Sequence, residues 1–303
     1  EIASENSSFL NCRKAVHFAP FTPANTSFFT TTSFANNAPM LDATYTSADG
    51  ARYGTATFVS LWDVSRVRFT TSAFTQSSGF TGSRRAIGIV SDDARYKVLD
   101  GCTFTNLDKA IYARAVDPLK NLEVSNDNVF SNCQQGIYLK GGAFHYIGEG
   151  NVFNLSVANQ NDLLPEVTAI RLDGTSSTVI ENNTINGGTP SSSSYLAQYG
   201  IIAENTGDNA SFTFKNQFND LFIGNQTQKD NGGLQIRCNE YTDQAFAWVI
   251  NPQSTGAFSD QGECGQQANQ AGNQFFDAPC VNGQYNHIYS SLAFDYRYNF
   301  NGN

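Results

Sequence analysis

Apolar and polar positions alternate in short runs along this chain, and one nine-residue frame recurs without a gap. Phe9-x-Asn11-Cys12-x-x-Ala15-Val16-His17, Phe104-x-Asn106-Leu107-x-x-Ala110-Ile111-Tyr112 and Phe130-x-Asn132-Cys133-x-x-Gly136-Ile137-Tyr138 all follow it. A shorter element, Asn-x-(Phe/Ile/Tyr), marks more repeats: Asn128 with Phe130, Asn151 with Phe153, Asn183 with Ile185, Asn216 with Phe218, Asn239 with Tyr241, and Asn273 with Phe275. Ser72 with Phe74 and Cys102 with Phe104 read as variants. The apolar residue recurs at 74, 104, 130, 153, 185, 218 and 241, so the shortest step is 23 residues and longer steps read as the same unit with inserted loops. Self-similarity at this period is the signature of a solenoid.

Between the markers, runs such as Gly136–Leu139, Ala169–Leu172 and Ser211–Phe214 alternate with period 2, the strand signature, and Gly, Asn, Asp and Ser fill the joints. A unit of two or three short strands is too short for a βαβ crossover and fits one coil of a parallel β-helix, stacked at roughly 4.8 Å. In that arrangement Phe104, Phe130, Phe153, Ile185, Phe218 and Tyr241 point inward and stack. The amides of Asn128, Asn151, Asn183, Asn216 and Asn239 then bond from coil to coil, at bends where Asn tolerates left-handed backbone. A second marker, a small residue followed by an aliphatic one, recurs at Gly88, Ala110, Gly136, Ala169 and Gly200. Asn225 falls where sister coils carry Ile, which predicts a local irregularity.

Composition narrows the function. Only 15% of the 303 residues are charged, the net charge is −9, and 24 Phe stand against one Met. No basic stripe is visible along the chain, which disfavours nucleic acid, and no apolar run approaches a membrane span of about 20 residues. The six Cys form no CxxC pair, so zinc is disfavoured. Cys12 and Cys133 share a repeat position with Leu107 and Leu221 and read as small apolar core residues. Cys264 and Cys280 lie in a Gly/Gln/Asn-rich region and form a candidate disulfide, in keeping with an exported protein. The frame starts within the first ten residues, which suggests a chain beginning inside a larger protein or after processing.

Catalytic motifs are sparse. Asp92-Asp93 with Arg95 and Lys97 superficially resembles polygalacturonase elements, but only Ala94 separates Asp93 from Arg95, and adjacent strand residues face opposite ways. Scattered acids (Asp127, Glu149, Asp162, Glu166, Asp173, Glu181) and Arg171 leave room for Ca2+ lyase chemistry without an assignable site. His17, His145 and His287 are isolated, His17 at the repeat position of Tyr112 and Tyr138. Trp62, Tyr45, Tyr53, Tyr195 and Tyr199 lie in or beside the insertions. Aromatic faces among Asn, Gln and Ser suit sugars, although large aromatics more often bury area and would then pack the loops onto the solenoid; Trp62, Tyr195 and Tyr199 are the carbohydrate-binding candidates.

The order Gly136-Ile-Tyr, Asn-x-Phe-x-Asn-Cys133, Gly233-Leu-Gln-Ile-Arg-Cys238-Asn239-Glu-Tyr241, Gln261-Gly262 and Ala271-Gly272-Asn273-Gln-Phe275 resembles secreted right-handed parallel β-helix proteins of Bacteroidota, commonly exported by the type IX secretion system. The resemblance implies an exported or cell-surface protein and a secretion machinery as partner. It brings no catalytic residues. The expected fold is all-β, a right-handed single-stranded parallel β-helix over 1–245 that starts inside a repeat, with a final Asn-x-Phe coil and an irregular, cap-like closing region over 246–303. The leading functional reading is a non-enzymatic surface module, adhesin-like or structural, with an extracellular glycan or other surface proteins as partners. The alternative is a polysaccharide lyase or glycoside hydrolase whose site lies near 155–200, where the insertions Asn154–Glu166 and Thr189–Tyr195 should adjoin. A passive spacer with no ligand is a third reading.

Overall fold

The computed structural model describes residues 2–21, 25–38, 56–79, 85–156, 166–188, 198–208, 210–251, 261, 271–276 and 287–290. Its regular structure is entirely β. Among these residues three sheets of nine, ten and ten strands, here A, B and C, stack rung upon rung, and every strand pairing is parallel. The chain visits A, then B, then C, and returns to A one rung higher, so each coil contributes one strand to each sheet. This is a right-handed parallel β-helix. Rungs continue beyond residue 245 at Phe246–Ile250 in sheet C, Gln274–Phe276 in sheet B and Ile288–Ser290 in sheet C. Among the described residues no helix is long and apolar enough to cross a membrane.

The interior is built by register. Phe34, Phe74, Phe104, Phe130 and Phe153 are direct partners on successive rungs of sheet B, and their rings stack within 15° of parallel at centroid separations of 4.8, 4.6, 4.9 and 4.5 Å. Ile185 interrupts the rings, and Phe218, Tyr241 and Phe275 resume them. The small residue of the second marker has a steric cause. A Cβ on Gly136 would sit 2.9 Å from the Phe153 ring and 2.5 Å from the Ala169 carbonyl oxygen, and Gly200 meets Phe218 in the same way. Where sheet C begins, the chain passes against the ring of the following coil, and from Gly88 to Ala247 the position holds only glycine or alanine.

At the A-to-B bend the amides form a continuous chain. Asn128 Nδ2 donates to Asn151 Oδ1 (2.8 Å), Asn151 to Asn183 (2.9 Å), Asn183 to Asn216 (2.9 Å), Asn216 to Asn239 (3.0 Å) and Asn239 to Asn273 (3.2 Å). Towards the N-terminus Cys102, Ser72 and Thr32 take the same place, with the Cys102 N–H donating to Asn128 Oδ1 (2.9 Å) and the Ser72 N–H to Cys102 Sγ (3.4 Å). The ladder asparagines do not take the left-handed backbone expected of them. That conformation falls on the residue before: Asp127, Gly150, Asn182, Lys215 and Cys238. The physical reason is directional, because the residue at positive φ turns the chain and so aims the next side chain into the bend. The B-to-C bend uses asparagine in the other sense, with Asn11, Asn106 and Asn132 themselves at φ of 53°, 56° and 54°.

Asn225 causes no irregularity. Its strand, Ile223–Gln228, stays in register, with Asn225 opposite Ile201 on one side and Trp248 on the other. The amide is buried and donates to the Tyr241 hydroxyl (2.6 Å).

Candidate functional site

Sheet C is the face beside which the longest connections enter. Strand Val152–Asn154 of sheet B leads into Val167–Asp173 of sheet C, and Thr184–Asn186 leads into Gln198–Glu204 on the next rung. Both insertions therefore join sheet B to sheet C in successive coils. Residues 157–165 and 189–197 lie outside the described residues.

The outward positions of sheet C form two columns. One runs His17, Ser60, Val90, Tyr112, Tyr138, Arg171, Ile202. The other runs Trp62, Asp92, Arg114, Lys140, Asp173, Glu204. The centre of this strip combines aromatic and charged groups. The Tyr112 and Tyr138 rings lie 5.1 Å apart at 54°, and the Arg171 guanidinium sits 5.6 Å from the Tyr138 centroid. Arg171 donates through Nη1 to Glu166 Oε1 (3.0 Å) and through Nη2 to Glu204 Oε2 (3.1 Å), and Lys229 pairs with the other Glu204 oxygen. The Tyr138 hydroxyl donates to Asp173 Oδ2 (3.4 Å), which also faces Lys140 Nζ (3.5 Å). One rung below Lys140, Arg114 grips Asp92 with two bonds of 3.0 and 2.6 Å. Asp92 is thus an ion-pair partner rather than half of an acid–acid pair, and Asp93 accepts from the backbone N–H groups of Val116 and Asp117 (2.6 and 3.0 Å).

These contacts set the protonation states. Burial works to raise the Glu204 carboxyl, but hydrogen bonds from Lys229 and Arg171 outweigh it and hold the group below its ordinary value. Burial works to lower Arg171, and its bond to Glu204 together with the Glu166 charge turns the net shift upward. Tyr138 is pushed up to about 12, first by burial and then by the Asp173 carboxylate, so it stays a neutral donor at physiological pH. Tyr199 is raised by burial and by Glu166.

Trp62 is 56% exposed at the N-terminal end of the second column. Tyr199 belongs to a different column, opposite Thr168 and Ile223, five rungs away from the Trp62 strand, or about 24 Å at the spacing of stacked strands. The two do not form one platform. Tyr195 and the Cys264–Cys280 pair lie outside the described residues, as do Tyr45 and Tyr53. Cys12, Cys102, Cys133 and Cys238 are free thiols, and burial raises Cys102 to about 11 and Cys133 to about 12. Among the described residues no three His, Cys, Asp or Glu side chains gather as a metal cluster. The Tyr112–Tyr138–Arg171 cluster is the group that reading for insertions missed. Its signal was the last position of the repeated frame, which holds an aromatic or His while its neighbours point inward.

A second surface corrects the sequence reading. On the outer face of sheet A, Arg66, Arg68, Arg95 and Lys97 line a groove of about 500 Å3. The four cations are scattered along the chain and become a patch only when coils stack, because Lys97 pairs in register with Arg68, and Arg66 and Arg95 directly precede the paired residues Val67 and Tyr96.

No protein-family model matches the chain. No curated protein matches it either. Among solved structures, bacteriophage CBA120 tailspike protein 3 aligns at 13% identity with a TM-score of 0.35, over 94% of this chain and 51% of the tailspike chain. The chain therefore spans about half the length of that tailspike. DFA-IIIase from Arthrobacter chlorophenolicus A6, in complex with GF2, aligns at 11% identity with a TM-score of 0.27 over 89% of both chains. The same enzyme without its lid gives 12% and 0.29. The fold rests on this chain's own strand ladders.

Proposed function

We propose that this chain is a non-enzymatic carbohydrate-binding module of an exported surface protein, and that it holds a glycan segment along the outer face of sheet C. The observation that carries this reading is the strip centred on Tyr138, where two tyrosine rings, a stacked guanidinium and a row of polar groups line the sheet beside its loop-bearing edge. Aromatic faces take the apolar side of a sugar ring while neighbouring charged and hydroxyl groups take its hydroxyls. Arg171 Nε is buried without a hydrogen-bond partner among the described residues. Export by a Bacteroidota-type secretion route belongs to the same proposal and is supported by the resemblance of the repeat phrases.

The charges of the strip favour binding over turnover. A general acid needs a carboxyl whose ionisation is pushed up, and Glu204 is held down by Lys229 and Arg171. One observation favours the second reading, a polysaccharide lyase or glycoside hydrolase: Glu166 and Glu204 bond to the same guanidinium, which keeps them within the roughly 10 Å that glycosidase carboxylates span.

A glycan array followed by product assays on each hit separates the two. Binding with no new reducing ends and no unsaturated product supports the module. Turnover that disappears in Glu204→Gln supports the enzyme. No bound glycan on a broad array defeats both.

A further inference from the structure

The cationic groove on sheet A lies on a different face from the strip just described, and the module reading does not use it. Four of its lining residues are cations, with Glu123 as the lining carboxylate, in a protein of net charge −9. Arg68 pairs with Asp100 (3.1 Å) and Lys97 with Glu123 (2.5 Å). Like charges on adjacent rungs repel, and Asp100 and Glu123 offset part of that cost for Arg68 and Lys97. The groove continues into a neighbouring cavity of about 400 Å3 that shares Thr26 and Arg68 and adds the hydroxyls of Thr30 and Thr70. Asn121 supplies an amide at the other end.

We propose that this groove binds a segment of anionic polysaccharide, with its carboxylate or sulfate groups against the arginine–lysine square and its hydroxyls against the threonine row and Asn121. The square measures about 4.8 Å between rungs and about 6–7 Å along a strand, so it presents charge at two-dimensional spacing rather than at one point. Arginine forks suit planar carboxylates and sulfate oxygens. Nucleic acid fits less well. The one aromatic lining the main groove, Tyr96, is 1% exposed and offers no face for a base, and Phe28 of the neighbouring cavity is only partly exposed. The proposal stands apart from the sheet C reading and fails or holds separately.

The test is fluorescence anisotropy at low ionic strength with labelled dextran sulfate, labelled polygalacturonate, neutral dextran and a single-stranded DNA. The expected result is salt-sensitive binding of one or both polyanions and none of dextran. A sulfate preference or a carboxylate preference each supports the groove and identifies its ligand. Arg66→Gln/Arg95→Gln and, separately, Arg68→Gln/Lys97→Gln should weaken binding roughly tenfold or more, a loss of about 1.4 kcal/mol or more. All four residues are exposed, so circular dichroism and thermal midpoints should match wild type. Equal binding of polyanion and dextran, unchanged affinity in both double variants, tighter binding of the DNA, or a loss of polyanion binding in Tyr138→Ala instead would each overturn the proposal.

Discussion

Asn225 and Tyr241, sixteen residues apart, meet inside the solenoid, where the amide donates to the phenolic oxygen at 2.6 Å. Trp248 Nε1 donates to the same oxygen at 2.7 Å. The ring stack of sheet B tolerates a tyrosine here because sheet C supplies polar partners on the facing rungs, Asn225 in one coil and Trp248 in the next. Tyr241→Phe should therefore destabilise the protein by about 1–3 kcal/mol, although phenylalanine is the usual residue of the stack, because it leaves two buried donors without their acceptor. Asn225→Ile restores the apolar residue of sister coils, and the double variant should lose less than the two single losses summed. Urea unfolding of the four proteins checks this, and simple additivity would break the coupling.

The amide ladder sets a second expectation. Asn151 accepts from the Asn128 N–H (3.2 Å) and Nδ2 (2.8 Å), and donates to the carbonyls of Gly148 (2.6 Å) and Val124 (3.1 Å) and to Asn183. Asn151→Ala strands several buried groups together and should cost about 3 kcal/mol or more. Asn186, at the far end of a sheet B strand, gives the contrast: its Nδ2 donates to Asn154 Oδ1 and its Oδ1 accepts from Asn219, both at 2.9 Å, in partly exposed surroundings. Its alanine variant should stay within about 1 kcal/mol of wild type, since a solvent-exposed bond is readily replaced by water. Thermal midpoints of both variants decide it.

The architecture was readable because each coil repeats the same steric demand. The Asn-x-Phe marker places an amide in the bend and a ring in the core, and hydrogen bonds and stacking then force one register on every coil. Which asparagine turns the chain was not readable, because the ladder residue and the left-handed residue are neighbours and both positions accept Asn, as Asn182 beside Asn183 shows. The site was harder for a different reason. Tyr112, Tyr138 and Arg171 come from three coils, and Arg66 and Arg95 from two, so their neighbourhoods exist only after stacking. Insertions drew notice to Trp62 and Tyr199, which lie about 24 Å apart along the axis.

Acid should act first through His145. Its ring is buried, receives the Leu122 N–H on Nδ1 (3.1 Å), and faces the Gly141 carbonyl from Nε2 (3.2 Å). Burial lowers it from 6.5 to about 4, against the smaller opposing pull of the Gly141 bond. Between those values the unfolded chain binds the proton and the folded one does not, so stability falls as pH drops from 6.5 towards 4. The loss from this group reaches at most about 3 kcal/mol. Glu204 adds its own loss lower down, because a carboxyl held below its ordinary value stabilises above that value and stops doing so as pH falls through it. Thermal midpoints measured from pH 7 to pH 4.5 should decline in wild type and decline less in His145→Asn. Parallel curves would remove His145 from the account.

The functional claim rests on Tyr138 and can be tested by one affinity ratio. For the tightest uncharged glycan found on the array, calorimetric titration should show Tyr138→Ala binding about tenfold or more weakly than wild type. Arg66→Gln/Arg95→Gln, on sheet A, should bind that glycan as wild type does. Unchanged affinity in a folded Tyr138→Ala protein would contradict the assignment of the sheet C strip as the binding face.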